Sequence, residues 1–102
     1  DNMADIDVYL EAIKTFGALP QMVIVMEECS ELQKEISKII REKGDLGNLA
    51  EEIADVEIML EQLKLIFTLH DKVVTKKGEK IERLKRIIEK YKEKQACKNP
   101  EN

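Results

Sequence analysis

Glu27-Glu28-Cys29-Ser30-Glu31 and its echo Glu51-Glu52-Ile53-Ala54-Asp55 decide how this chain is read. Each is a pair of acids followed, three residues on, by another acid. Each lies inside an apolar segment with helical periodicity. On a helix, residues three apart share a face. Glu28 therefore stands with Glu31, and Glu52 with Asp55. Two such pairs on facing helices bring four carboxylates to one point. That donor set suits a hard divalent cation such as Mg²⁺, which takes oxygen ligands and commonly shares them with substrate phosphates.

The segments around the motifs are expected to be long helices. The chain of 102 residues contains 4 Gly, 2 Pro and no Trp, with 37% charged residues, a composition that favours helix. Ile6, Leu10, Ile13 and Phe16 mark a first helix over 5–16, stopped by Gly17. A second is expected from Pro20 to Lys43, stopped by Gly44, with Met22, Val25, Met26, Cys29, Leu32, Ile36, Ile39 and Ile40 as its apolar arc. Asp45 or Asn48 caps a third over 48–69, with Leu49, Ile53, Val56, Leu60, Leu63 and Phe67 as its core stripe. The last runs from His70 or Asp71 to Lys94, with Gly78 a possible interruption. This predicts an all-α, four-helix bundle-like single domain over 3–96, whose two central antiparallel helices carry the acidic motifs. Residues 97–102 are expected to be a disordered tail. Asp1 and Asn2 precede Met3 and are set aside.

On the second helix, Glu28 falls on the rim of the apolar arc, and Glu31 and Glu35 follow along that rim. On the third, Glu52 falls within the arc and Asp55 beside it. Glu27, Glu51, Glu57 and Glu61 point to solvent. A carboxylate facing a core is protonated, paired or bound to metal. Lys77 and Lys80 fall inside the arc of the last helix, so two readings stand at this point: a metal cluster with lysines that meet phosphates, or a structural network of ion pairs.

Charge is uneven. Residues 1–70 hold 15 acids and 6 bases, net −9, and residues 71–102 hold 6 acids and 11 bases, net +5. The basic last helix admits an alternative function as a non-catalytic interaction module that binds nucleic acid or an acidic partner. A sensor that keeps the metal or nucleotide site without turnover is a third. Inward lysines favour the first reading and make nucleic acid the weaker partner. Cys29 and Cys97 form no metal or disulfide pattern, which, with no signal peptide or membrane-spanning run expected, predicts a cytoplasmic protein with no membrane partner.

Met26-Glu27-Glu28-Cys29-Ser30-Glu31-Leu32 with Leu49-Ala50-Glu51-Glu52-Ile53-Ala54-Asp55-Val56 resembles the EExxE…ExxD signature of the MazG-like, all-α nucleoside triphosphate pyrophosphohydrolases. An upstream Gln21 and Lys80-Ile81-Glu82-Arg83 match further parts of that pattern. The resemblance covers residues 6–90. It implies hydrolysis of NTP or dNTP to the monophosphate and pyrophosphate, with Mg²⁺ or its substitute Mn²⁺, by a homodimer or homotetramer. It implies Glu28, Glu31, Glu52 and Asp55 as metal ligands and catalytic groups, and Lys80 and Arg83 as phosphate contacts beside the inward Lys77. Gln21 is implied at the base or sugar pocket. Tyr9, Phe16 and Phe67 are the aromatic candidates for stacking on a base, though each also reads as core.

Overall fold

The computed structural model describes residues 3–98. It is all-helical: α1 (Met3–Phe16), α2 (Ala18–Ile40), α3 (Leu46–Phe67) and α4 (His70–Lys98). The chain divides into two compact units, residues 1–69 and 70–102, where the sequence reading expects one domain across 3–96. Cys97 and Lys98 belong to α4, and residues 99–102 of the expected tail lie outside the described residues. No single helix among the described residues is long and apolar enough to cross a membrane.

Helix boundaries follow local chemistry. Gly17 adopts φ 96°, a region open to glycine alone at little cost, and there the chain turns so that α1 and α2 meet at 113°. Asp45 rather than Asn48 caps α3, with its carboxylate accepting from the Gly47 and Asn48 N–H groups. A side chain in this role contributes ~1 kcal/mol, and it starts the helix two residues earlier than expected. α2 stops short of Gly44. The Glu42 N–H bonds the Ile39 carbonyl and the Lys43 N–H bonds the Lys38 carbonyl, which is the Schellman closure. The left-handed position of that closure falls on Glu42, at φ 60°. Gly44 serves a different need, because a Cβ there would lie 2.9 Å from the Ile39 backbone nitrogen. Gly78 leaves α4 uninterrupted, and a Cβ there would meet nothing within 4 Å.

In the first unit α2 packs chiefly on α3, and α1 contacts both. The core is small: Tyr9, Val25, Val56 and Met59. Of the expected apolar arcs, Met26, Ile36 and Ile40 on α2 and Ile53, Leu60 and Phe67 on α3 are instead exposed. The inward face of each helix is rotated from the apolar maximum toward its polar side, so Gln21, Glu35 and Gln62 are buried in place of those residues. Tyr9 lies in the core as expected, while Phe16 and Phe67 do not. The second unit is the single helix α4, which buries no residue.

α3 ends on the same closure as α2, with the Leu69 N–H on the Lys64 carbonyl and Thr68 at φ 52°. A β-branched residue in the left-handed region is strained by ~1–2 kcal/mol. Thr68→Gly should therefore raise the unfolding free energy by ~1 kcal/mol, read from the urea midpoint at unchanged slope.

Candidate metal centre

The α2–α3 contact sets the site. Glu28 on α2 and Glu52 and Asp55 on α3 each place a carboxylate oxygen within 4.8 Å of the others. Glu28 and Glu52 are partly buried and Asp55 is exposed. The spacing of three between Glu52 and Asp55 puts both on the turn of α3 that meets Glu28. Three of the four carboxylates expected in the cluster are thus brought together.

Glu31, the fourth, is exposed, and its Oε1 accepts from the Lys34 ammonium at 3.2 Å. It remains close enough to raise the pKa of both Glu28 and Glu52. Glu35, one turn further, is buried; its Oε1 pairs with Lys38 at 3.1 Å and its Oε2 has no partner among the described residues. Glu35 also repels the charge on Glu52. Sequence reasoning placed it on the rim but gave it no role. The signal was its spacing of seven from Glu28, which returns it to the same face.

Burial is the first cause that holds the Glu28 carboxyl above its ordinary range, followed by the charges on Asp55, Glu52 and Glu31 and a hydrogen bond with Asp55. Glu52 is raised by burial and then by Asp55, Glu31, Glu35 and Glu51. Its Oε2 is shielded from water and has no hydrogen-bond partner among the described residues. No lysine or arginine neutralises Glu28, Glu52 or Asp55 through an ion pair among the described residues. An unpaired, shielded carboxylate oxygen beside two further carboxylates is a donor set for a hard cation and a poor arrangement without one.

Gln21, expected at the base or sugar pocket, is 4% exposed and donates its Nε2 to Gln62 Oε1 at 2.8 Å. Gln62, 5% exposed, sends its own Nε2 to Met59 Sδ at 3.6 Å. The pair ties α2 to α3. Gln21 Oε1 keeps no partner among the described residues. Gln62 was missed in the sequence, although its spacing of seven from Asp55 puts it on the site's face of α3.

Lys77, Lys80 and Arg83 are on α4 and are exposed, where the sequence reading turned the two lysines inward. None of the three forms an ion pair among the described residues. The phosphate role of these residues rests on sequence alone. No family model, curated protein or solved structure matches the chain.

Two measurements check this account in metal-free buffer. Glu52→Gln removes a carboxylate whose ionisation the folded state resists. With its pKa raised above the ordinary 4.5, the cost is present at neutral pH and absent once pH falls below 4.5. The variant should be more stable than the parent at pH 7, and the gap should close on acidification toward pH 4. Gln62→Leu should cost ~1–3 kcal/mol by stranding the buried Gln21 amide, and Gln21→Leu/Gln62→Leu should recover most of it; chemical denaturation of the three variants tests this.

Proposed function

We propose that the chain is a Mg²⁺-dependent nucleoside triphosphate pyrophosphohydrolase, releasing pyrophosphate and the monophosphate from NTP or dNTP. The single observation that carries the reading is the convergence of Glu28, Glu52 and Asp55 with the unpartnered Glu52 Oε2. The sequence resemblance to MazG-like enzymes supplies the reaction.

Glu28, Glu52 and Asp55 would hold the cation. When bound, Mg²⁺ (or Mn²⁺) supplies neutralising charge at the phosphates. Glu31 can join as a ligand by releasing Lys34, an exposed pair whose loss costs little. The unpaired Lys77, Lys80 and Arg83 carry donors suited to phosphate oxygens. Gln21 is assigned first to the buried amide bond that holds the two site helices together. A contact with base or sugar would require that bond to open.

A homo-oligomer belongs to the same proposal. Leu46, Ile53, Leu60, Phe67, Leu84 and Tyr91 are all exposed, and no described side chain is fully buried. A chain this small with so much apolar surface gains by association. The alternative, an interaction module without turnover, would leave the carboxylate cluster without a use.

Incubation with the eight common nucleotides and Mg²⁺ should release pyrophosphate from at least one. Glu52→Ala should abolish release while leaving helicity and melting temperature at or above the parent's, because it removes a buried charge. No release from any nucleotide, or a Glu52→Ala variant that unfolds, overturns the reading.

A further inference from the structure

The four glutamates of α4 within residues 73–95 all fall on one side of the helix. Taking Val74 as heptad position a, Ile81 and Ile88 recur at a, Leu84 and Tyr91 at d, and Val73 and Ile87 at g. Val74, Ile81, Leu84, Ile87, Ile88 and Tyr91 are exposed. Positions c and e, which border this stripe, carry Lys76, Arg83, Lys90, Lys85 and Lys92. Glu79, Glu82, Glu89 and Glu93 occupy b and f, opposite it. The Lys76–Glu79 and Lys85–Glu82 pairs, 3.4 and 3.0 Å, draw on those glutamates from the helix's own side chains. What α4 offers a partner is a seam ~26 Å long, apolar except at Lys77 in a d position and Lys80 in a g position, with bases on both margins and no acid on either.

α3 carries a second exposed ridge. Leu46, Ile53, Leu60 and Phe67 recur every seven residues and are 73%, 42%, 41% and 51% exposed. Exposed Glu57 lies along its margin, and Lys64, paired with Glu61 at 2.6 Å, stands between Leu60 and Phe67 on the ridge. Its unit, residues 1–69, carries net −9, and residues 70–102 carry net +5.

Three pairings are open between two copies of the chain. α4 on α4 sets Lys85 and Lys92 against their own counterparts. α3 on α3 opposes two units of net −9. α4 on α3 joins opposite charges and covers both apolar seams at once. A duplex nucleic acid would have no use for the apolar centre of the α4 face. We infer that α4 docks through its Val74–Tyr91 stripe on the α3 ridge of a second copy of this chain. The inference rests on the oligomer reading above and names its contact. A coiled-coil seam of this kind has a 3.5-residue repeat, which α4 keeps at Ile81, Leu84, Ile88 and Tyr91.

The contact is tested on the full chain by light scattering behind size exclusion, with circular dichroism to confirm helicity. Leu84→Glu/Ile88→Glu should reduce the parent to a monomer, and so should Ile53→Glu/Leu60→Glu. Mixed together, the two variants should form a heterodimer, since each keeps the surface the other lost. Lys85→Glu/Lys92→Glu leaves both seams intact and should raise the dissociation constant at least tenfold at low salt. A parent that is monomeric overturns this inference together with the oligomer reading. An oligomer that survives the α4 substitutions but not the α3 ones, or the reverse, overturns this inference alone, as does a mixture that stays monomeric.

Discussion

The contact between α2 and α3 has to accommodate charge, and most of the first unit follows from that. Its apolar centre is only Val25, Val56 and Met59, with Tyr9 added from α1. Around that centre lie Glu28, Glu52, Glu35 and the Gln21–Gln62 amides. Had burial of apolar area alone set the rotation of these helices, Met26, Ile36, Ile53 and Leu60 would face inward, for each such residue buried contributes ~1.5–3 kcal/mol. The helices instead turn a polar sector toward each other. Because α2 and α3 are consecutive and the link over 41–45 is short, one rotation fixes both the carboxylate cluster and the exposed ridges.

That rotation also marks where the sequence was legible. Helix number, helix type and the grouping of Glu28 with Glu52 and Asp55 follow from period and spacing, because i,i+3 geometry is the same on any helix. The core follows only in part: Val25, Val56 and Tyr9 are buried as expected, whereas Met26, Ile36, Ile53 and Leu60 are exposed. A wheel built on hydrophobicity finds the apolar maximum, and in this chain that maximum is shared between core and exposed surface. Lys77 and Lys80 fall inside the α4 stripe, and α4 taken by itself has no second helix to bury that stripe.

The ends of α2 and α3 show a second limit. Glycine is the sequence signal for a left-handed helix stop, and Gly44 drew the end of α2 three residues too far. In both helices the left-handed residue is another type, Glu42 and Thr68. The backbone bonds of the closure are made regardless of the side chain, and the strain is borne locally. The glycine that does matter there, Gly44, is needed for close approach to Ile39, a requirement set by tertiary packing.

Carboxylates crowded on one side of an interface are costly unless something of opposite charge meets them. Among the described residues no ion pair reaches Glu52, whereas lysines pair with Glu31, Glu35 and Glu61. The division is spatial. Each of those lysines stands three residues from its glutamate on the same helix, so it neutralises the margins and cannot reach across to α3 or back to α2. The oxygen donors of Glu28, Glu52 and Asp55 are, by number and hardness, of the kind that suits a divalent cation. The α2–α3 packing is then a compromise, in which the apolar contact holds the helices together against the repulsion among these carboxylates.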